Sequence, residues 1–457
     1  MEKLELKNVK GSFDYESKDQ IIRNYISNTL EEVFERYGYK PLSTSILCYY
    51  DLLTLKYEED NDIVNEIYKI QDQANRNLAL RYDLTVPFAK YIAVNKDITM
   101  PYKRYEIGKV FRDGPVKKGR MREFIQCDVD SVGIEGQFVE AELIALAVES
   151  YKKLGIDVVI KYNNRKLMTG IIEICGISEE KISQTITIID KLEKLSKEEL
   201  EEEFLKIGLE KNQIDSLIDY LNMSLEEIIK VSENKESIFL KEGTKELYEL
   251  NSYIEALNLS KYVKFSISLA RGQEYYTGTV FEAYQVTGEI KSSIGGGGRY
   301  DKMIGDFIGD GKTYPAVGIS FGLDVIFDIL KSNQNNKKTN TTVYIIPMKN
   351  NTYAMKVAGY LRDKNINVDI EMNNKKIKKA LEYANSEEIP FVIIIGEEEL
   401  KENKVVLKNM KTGAQMKVKI ENIEENLIDI NYKVLNPGGN KTAIVIGNEY
   451  TAVQKKN

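Results

Sequence analysis

A run of basic residues follows the segment YKRYEIGKVF at 102–111. The turn after it contains Gly114, Pro115 and Gly119, and strand-like residues resume beyond it, so we predict a hairpin. The basic side chains around this turn are Arg112, Lys117, Lys118, Arg120 and Arg122. Guanidinium groups make paired hydrogen bonds to phosphate oxygens, so such a hairpin could clamp a polyphosphate. A charged surface hairpin would have the same charge pattern.

Three polar side chains alternate along the second strand of this hairpin, in the segment IQCDVDSV at 125–132. They are Gln126, Asp128 and Asp130, and alternate residues of a strand share one face. That face therefore offers one amide and two carboxylates. Such a set suits an ammonium group or a magnesium ion.

Two later segments bring arginine, tyrosine and glycine together. In SLARGQEYYTGTVFEAY (268–284), we predict a strand–turn–strand in which Arg271 neutralises developing negative charge while Tyr275 and Tyr276 line a ring-shaped pocket. In GGGGRYDKMIG (295–305), four residues without Cβ atoms let the backbone approach a ligand closely. An ordinary aromatic strand pair and a flexible glycine loop or bulge are the alternatives.

The composition excludes several kinds of chemistry. The 457 residues include no histidine, which rules out Ser-His and Cys-His nucleophiles, His-bound zinc or haem, and a histidine general base. Cys48, Cys127 and Cys175 form no CxxC pair and fit a reducing compartment better than a disulfide scaffold. A net charge of −7 argues against a globally basic nucleic-acid binder. With no apolar signal-peptide stretch at the start and no run near ~18 apolar residues, we expect a soluble cytoplasmic protein without membrane contact.

The length predicts two to four domains. We expect helices over 17–38 and 138–154, a strand at 78–82, and a strand followed by a helix over 316–330. From 166 to 260 the chain is dense in charge, lacks proline and repeats Leu and Ile at helical spacing. This pattern predicts a helical module that interrupts a mixed domain.

The C-terminal part is predicted to be a small α/β domain. After a polar linker at 331–341, strands are expected at 343–347, 368–371 and 391–396, with a helix around 377–384. Residues 341–420 hold 14 Lys and Arg against 10 Asp and Glu, a net charge of +4, so the remainder of the chain carries −11. A locally basic domain favours a polyanion partner, although a solvated lysine face would have the same charge. The segment after about 430 contains a strand-like TAIVI and no residues that suggest chemistry.

Taken in order, these segments resemble class II aminoacyl-tRNA synthetases, and among them the histidyl-tRNA synthetases. The matches are LRYDLTVPFAKY (80–91), GRMREFIQCDVD (119–130), ARGQEYYTGTVFE (270–282) and GGGGRYDKMIG, within a resemblance that covers 5–427. The resemblance implies an α+β fold, in which helices flank an antiparallel sheet, and a homodimer. The implied domains are a catalytic domain at 1–165 and 261–330, a helical insertion at 166–260, a linker at 331–341, an α/β anticodon-binding domain at 342–427, and a tail of unknown role at 428–457.

The resemblance also implies a reaction in which ATP and L-histidine form histidyl-adenylate, and the histidyl group passes to the 3′ end of tRNA(His). Arg112 and Arg271 would be catalytic, and Arg112, Arg120 and Gln126 would bind ATP. The implied histidine-binding residues are Asp83, Thr85, Gln126, Asp130, Arg271, Tyr275, Tyr276 and Tyr300, with Asp130 facing the ammonium. Carboxylates near the reaction would hold Mg²⁺, but none is singled out. In-line displacement at phosphorus needs no histidine on the enzyme, because positioning and electrostatics do most of the work.

The sequence departs from the family pattern at several positions. Gly114 stands where the family has an acidic residue, and Cys48 stands where it has a glutamate at the dimer interface. Gln273 and Glu274 replace the commoner Leu and Asp. Val325 replaces an arginine that grips ATP, which puts tight nucleotide binding in doubt.

Three functions remain open at this point. The first is an active histidine–tRNA ligase, which the retained Arg112, Arg120 and Arg271 and the basic 341–420 segment favour. The second is a synthetase-like regulatory subunit of ATP phosphoribosyltransferase, which Val325 favours. The third is a paralogue that activates histidine for an acceptor other than tRNA, with the altered tail supplying another partner.

Overall fold

The computed structural model describes residues 5–55, 62–116, 119–192, 195–271, 275–288, 290–332 and 338–427, together with strand segments 443–446 and 449–452. Predictions that fall on Lys117, Lys118, Gln273, Glu274, most of the linker and most of the tail lie outside these residues. The chain divides into two compact units. The first comprises Met1–Asp14 and Arg23–Asn333, and the second comprises Tyr15–Ile22 and Gln334–Asn457.

An eight-stranded sheet organises the first unit, in the order β1-β5-β6-β11-β10-β9-β7-β8. Its neighbours are antiparallel except for the two outermost pairs, β1 with β5 and β7 with β8, which are parallel. A second sheet of three strands has the order β2-β4-β3. The strands of this unit are β1 (Lys40–Pro41), β2 (Leu47–Tyr49), β3 (Lys69–Gln71), β4 (Asn77–Leu80), β5 (Tyr102–Phe111), β6 (Glu123–Val132), β7 (Val158–Asn164), β8 (Val263–Phe265), β9 (Thr279–Gln285), β10 (Gly295–Arg299) and β11 (Ala316–Gly322).

The helices that accompany these sheets include a run of six between β7 and β8. Two of the six, α6 and α11, pack closely against each other at two glycines. A Cβ atom added at Gly170 or at Gly243 would lie 2.3 Å from a backbone nitrogen of the other helix. In chain order the helices are α1 (Ser17–Arg36), α2 (Tyr50–Thr54), α3 (Asp62–Asn65), α4 (Thr85–Val94), α5 (Phe138–Lys153), α6 (Arg165–Ile174), α7 (Ile182–Ile189), α8 (Lys197–Lys206), α9 (Lys211–Leu221), α10 (Leu225–Glu233), α11 (Ile238–Ala256), α12 (Met303–Ile308) and α13 (Leu323–Lys331).

Most predicted elements of this unit are confirmed, and one is corrected. The glycine run forms the regular strand β10, which rules out the loop or bulge that was its alternative. The strand predicted around 268 is wrong, because residues 267–268 form a turn. The Asn163 side-chain amide donates to the carbonyl oxygens of Ile267 and Leu269, at 2.9 Å in each case, so these groups are satisfied without a neighbouring strand.

A five-stranded sheet in the order β13-β12-β14-β15-β16 organises the second unit. Its first three strands, which were predicted from the sequence, are parallel to one another, and one core forms on each face, around Val343 and Ile345 and around Tyr344 and Ile346. The antiparallel strands β15 and β16 were not predicted. The elements are β12 (Val343–Ile346), α14 (Asn351–Asp363), β13 (Val368–Ile370), α15 (Ile377–Ser386), β14 (Phe391–Ile394), α16 (Glu397–Glu402), β15 (Lys404–Asn409), β16 (Gln415–Lys419), and the paired tail strands β17 (Ala443–Ile446) and β18 (Glu449–Ala452).

Within the described ranges, no helix has the length and hydropathy needed to cross a membrane. The three cysteines are buried free thiols.

Gly359 lies within helix α14, and a Cβ added there would meet no atom within 4 Å. We therefore expect Gly359→Ala to stabilise the protein by about 0.5–1 kcal/mol, since alanine loses less backbone entropy in a helix. Urea denaturation checks this, and an unchanged or lower midpoint would contradict it.

Candidate active site

A small cavity of about 40 Å³ lies in the first unit where β6, β10 and β11 run side by side. The pairing register of β6 and β11 explains how this cavity forms. Gly318 on β11 pairs with Asp130 on β6, and a Cβ on that glycine would lie 1.9 Å from Asp130 Oδ1. The glycine therefore leaves the space that the carboxylate occupies. Side chains lining the cavity are Asp83, Thr85, Gln126, Asp128, Asp130, Arg271, Tyr275, Tyr276, Tyr300, Ile319 and Ser320.

Asp130 is held by two protein groups at the floor of this cavity. The Tyr300 hydroxyl donates to its Oδ1 at 2.5 Å, and Arg104 Nη2 lies 2.8 Å from its Oδ2 in an ion pair. Arg104 is fully buried on β5, directly opposite Asp130 in the register. Sequence reasoning missed Arg104, although its place on the opposite strand of the predicted hairpin was a usable signal.

Four side-chain oxygen atoms of the residues that line the cavity are buried and have no hydrogen-bond partner. They are Asp83 Oδ2, Gln126 Oε1, Asp128 Oδ1 and Asp130 Oδ2, the last of which has its ion pair with Arg104. A buried acceptor without a donor is costly, so a ligand that fills this cavity should bring several N–H groups and a positive charge. The alternation predicted for β6 is confirmed, since Gln126, Asp128 and Asp130 all line this cavity.

Burial disfavours the charged forms of the unmatched carboxyls. It is the main cause that raises the pKa of Asp83 to about 6 and that of Asp128 to about 8. Opposing effects come from the backbone N–H of Val86, which Asp83 accepts at 3.1 Å, and from Arg104 beside Asp128. The raised pKa favours the protonated form of Asp128 at neutral pH when no cation is bound beside it.

This protonation predicts a pH-dependent stability of the ligand-free protein. Because the pKa of Asp128 is higher in the folded state, the folded state binds more protons, and the stability that this provides is lost as pH rises towards about 8. We expect the melting temperature of Asp128→Asn to rise progressively relative to that of the unaltered protein as pH goes from 5 to 8. A melting-temperature difference that does not change with pH would contradict the expectation.

A larger cavity of about 490 Å³ adjoins the first, and Gln126, Arg271, Gly296 and Ser320 line both. Arg112 and Arg120 also line it, so three guanidinium groups face one space. The aromatic ring of Phe124 lies 5.2 Å from the Arg112 guanidinium carbon and forms part of the wall. Arginines and an exposed aromatic face suit a nucleotide with its phosphates.

Arg271 lies between the two cavities, and several contacts fix its position. Its Nη1 donates to the Phe281 carbonyl oxygen at 3.2 Å and lies 3.6 Å from Glu282 Oε1. Its backbone has a φ of +51°, an unusual conformation for a residue with a side chain. A Cβ on Gly296 would lie 2.0 Å from Nη1, so glycine at 296 leaves room for the guanidinium.

Arg112 and Arg120, the other two arginines of the larger cavity, are held by contacts of their own. Arg112 Nε donates to the Tyr82 carbonyl oxygen at 3.1 Å, and Arg120 forms an ion pair with Glu66. A Cβ on Gly114 would lie 2.6 Å from Glu66 Oε1. The Glu66 carboxylate therefore occupies the space beside Gly114, the position at which the resemblance implied an acidic residue, and sequence reasoning could not find this contact.

Val325 lines the larger cavity with an apolar side chain, at the position where the resemblance implied an arginine. The preceding Asp324 is buried, forms an ion pair with Arg23 and accepts the backbone N–H of Ile125 at 2.8 Å. Asp324 therefore connects this end of the cavity to Arg23 and to strand β6.

Three tyrosine rings form one wall of the small cavity. The Tyr275 ring centroid lies 4.8 Å from that of Tyr276 and 6.2 Å from that of Tyr300. A Cβ on Gly298 would lie 2.9 Å from the Tyr276 ring, so this glycine also makes room for a site side chain. The small cavity thus collects every predicted histidine-binding residue, and the larger one collects Arg112, Arg120, Gln126 and Arg271. The roles of these residues stay predictions.

Comparison of this chain with known proteins identifies its family. The family model described as histidyl-tRNA synthetase matches residues 11–326, and a model described as anticodon binding domain matches 342–430. This chain belongs to the histidyl-tRNA synthetase family. "Histidine--tRNA ligase 1" of Bacillus cereus is 46% identical over 427 residues, which cover 93% of this chain and 97% of that protein. "Histidine--tRNA ligase 2" of Shouchella clausii is 45% identical over 92% of this chain and 99% of its own length.

Solved structures agree with the family at the level of fold. The crystal structure of histidyl-tRNA synthetase from Nostoc sp. PCC 7120 matches with a TM-score of 0.83 and 30% identity, covering 93% of this chain and 99% of that one. A Bacillus halodurans structure titled as an ATP phosphoribosyltransferase regulatory subunit/histidyl-tRNA synthetase has a TM-score of 0.72 and 21% identity, covering 86% and 99%. At that identity the likeness concerns the fold alone. The α+β class II synthetase fold expected from the sequence is confirmed.

Proposed function

We propose that this chain is a histidine–tRNA ligase that activates L-histidine with ATP and transfers it to the 3′ end of tRNA(His). One observation carries the proposal. Arg271 and Gln126 line both cavities. The small cavity has unpartnered oxygens that suit a cation rich in hydrogen-bond donors, and the larger cavity is lined with arginines. An amino acid in the first and a triphosphate in the second would meet at these two side chains.

Activation is an in-line attack by the histidine carboxylate on the α-phosphorus of ATP, with pyrophosphate as the leaving group. Arg112 binds the α-phosphate, and Arg271 stabilises the negative charge that grows on it as the bond forms. Arg120 must exchange its ion pair with Glu66 for one with the outer phosphates. Gln126, which lines both cavities, contacts both substrates.

The amino acid occupies the small cavity. Asp83, Thr85 and Gln126 receive its ammonium together with Asp130, and Tyr275, Tyr276 and Tyr300 line the space for the imidazole ring. Asp130 already pairs with Arg104, so its negative charge is partly matched before the ligand arrives.

Mg²⁺ enters with ATP as part of the nucleotide substrate. Among the described residues, no cluster of three or more acidic or cysteine side chains could hold a metal by itself. Glu282 lines the nucleotide cavity and offers one carboxylate, which suits a magnesium ion bound mostly by phosphates and water.

The tRNA contacts are proposed for the C-terminal region. Residues 342–427 would bind the anticodon, supported by the matching family model and by the net charge of +4 over 341–420. Residues 1–165 and 261–330 would form the catalytic domain, 166–260 a helical insertion, 331–341 a linker and 428–457 a tail of unknown role. The six helices between β7 and β8 support the insertion.

A homodimer in the cytoplasm completes the proposal. Strand β2 exposes Leu47 and Tyr49 on either side of the buried Cys48, and adjacent exposed apolar side chains are typical of an interaction surface. The three free thiols suit a reducing compartment.

A regulatory subunit of ATP phosphoribosyltransferase is the second candidate, because Val325 removes an ATP-binding arginine and the Bacillus halodurans structure shares the fold. The three guanidinium groups that face the larger cavity favour catalysis instead.

Histidine-dependent ATP–pyrophosphate exchange, followed by charging of total tRNA, tests the proposal. Exchange together with charging of tRNA(His) is the expected result. Binding to a phosphoribosyltransferase without exchange would select the regulatory function, and exchange without charging would select a different acceptor.

A further inference from the structure

The loop between β9 and β10 carries an exposed lysine, Lys291, at the edge of the larger cavity. Lys291 directly precedes Ser292, Ser293 and Ile294, and these three residues line that cavity. In the part of the chain that the structure describes, the Lys291 ammonium forms no ion pair and donates only to the Gly288 carbonyl oxygen, at 3.3 Å. This bond is long, so the ammonium can exchange it for a charged acceptor at little cost.

Hydrogen bonds fix the end of this loop that reaches the cavity. The Ile294 carbonyl oxygen accepts from the Tyr151 hydroxyl and from the Gly322 backbone N–H, at 3.2 Å in each case. Lys291 is three residues away from this fixed point, a distance along the chain of at most about 10 Å. Its long and flexible side chain can therefore turn its ammonium towards the cavity.

The guanidinium groups of the larger cavity are partly matched by carboxylates before a nucleotide arrives. Arg120 forms an ion pair with Glu66, and Arg271 Nη1 lies 3.6 Å from Glu282 Oε1. The proposed mechanism uses Arg112 and Arg271 at the α-phosphate, which leaves the already paired Arg120 for the outer phosphates. A triphosphate carries several negative charges, and Mg²⁺ cancels only part of them. A further cation beside the outer phosphates would therefore favour binding.

Lys291 belongs to the side of the cavity at which Val325 offers no charge. A Cβ added at Gly322 would lie 3.6 Å from Val325 Cγ2 and 3.7 Å from the Ile294 carbonyl oxygen, so Val325 and the end of the loop flank the same glycine. The loop thus adjoins the position at which the resemblance implied an arginine that grips ATP. A cation on the loop would supply there the charge that valine lacks.

We propose that Lys291 binds the outer phosphates of ATP through its side-chain ammonium. This inference rests on the proposed function and adds a residue to its nucleotide site. An ammonium is a compact charge whose donors rotate freely, so it can follow phosphate oxygens without the paired geometry that a guanidinium requires. Because Lys291 is exposed, water and salt screen the contact, and the expected effect is smaller than that of a buried charge.

The kinetic test compares Lys291→Met with the unaltered protein in ATP–pyrophosphate exchange. Methionine keeps most of the side-chain length and removes the charge. We expect the KM for ATP to rise about 5-fold, while kcat and the KM for histidine stay within about 2-fold, because the contacts to the α-phosphate and to the amino acid are retained. Lys291→Arg keeps the charge and should keep the KM for ATP. Lys264→Met, at an exposed lysine on the outermost strand β8, is the matched control and should change none of these values.

Equilibrium binding of ATP and of AMP gives a readout that does not depend on exchange. AMP has no outer phosphates, so Lys291→Met should weaken ATP binding about 5-fold and leave AMP binding within about 2-fold. Added salt should weaken ATP binding less in Lys291→Met than in the unaltered protein, since the variant has lost one charge that salt screens.

An unchanged affinity for ATP in Lys291→Met, or equal losses for ATP and AMP, would overturn the role of Lys291. A higher KM for tRNA with an unchanged KM for ATP would overturn it as well, because the ammonium would then contact the tRNA backbone. If the unaltered protein gives no exchange, the ligase proposal fails, and the comparison of ATP with AMP still decides whether Lys291 contacts the outer phosphates. The two failures are therefore distinguishable.

Discussion

Replacing Arg271 by alanine is expected to lower histidine-dependent ATP–pyrophosphate exchange by at least ~100-fold, the effect of losing a main donor to developing charge. Arg271 lines both cavities, so its guanidinium can reach the point where the carboxylate of one substrate meets the phosphate of the other. The loss should appear in kcat, because the interaction strengthens as negative charge develops.

The backbone at Arg271 requires its own control. With φ at +51°, alanine would keep the strain of the left-handed conformation, whereas glycine would relieve it. We expect Arg271→Gly to lose as much activity as Arg271→Ala, and Arg271→Lys to recover only part of it, since an ammonium cannot make the paired contacts of a guanidinium. Near-normal exchange in Arg271→Ala would remove this residue from the mechanism.

Gly296→Ala is expected to reduce exchange by about 10- to 100-fold although it removes no polar group, because it displaces the Arg271 guanidinium, and losing a donor of this kind has an effect of that size. The added Cβ would lie 2.0 Å from Arg271 Nη1 and 2.8 Å from the Phe281 carbonyl oxygen, so the guanidinium must leave its position. Gly359→Ala, which adds the same methyl group where nothing is within 4 Å, is the matched control and should keep full activity.

A double-mutant cycle separates displacement of Arg271 from general damage to the sheet. If Gly296→Ala acts through Arg271, the double variant with Arg271→Ala should be no slower than Arg271→Ala alone. Multiplicative losses would show that the methyl group disturbs something else.

The parts of the site that the sequence made predictable are those governed by local periodicity. Alternation along β6 puts Gln126, Asp128 and Asp130 on one face, and the two-residue repeat of a strand is enough to derive that. The strand followed by a helix at β11 and α13 was predictable for the same reason, because apolar spacing changes after Gly322.

Contacts between distant segments were not predictable in this way. Arg104 meets Asp130 through strand register, and Glu66 fills the space beside Gly114 from a separate part of the chain. The glycines of β10 looked like a loop because glycine has low strand propensity. In the folded protein they leave space for Arg271 and Tyr276, a requirement that exists only once the neighbouring side chains are in position.

A crystal structure with a non-hydrolysable histidyl-adenylate analogue tests most directly the claim that the two cavities form one reaction site. We predict the ring against the tyrosine wall, the ammonium between Asp83 and Asp130, and the phosphate analogue within hydrogen-bond distance of Arg112 and Arg271. An analogue bound with its phosphate group away from both arginines, or with its ring outside the small cavity, would contradict the account.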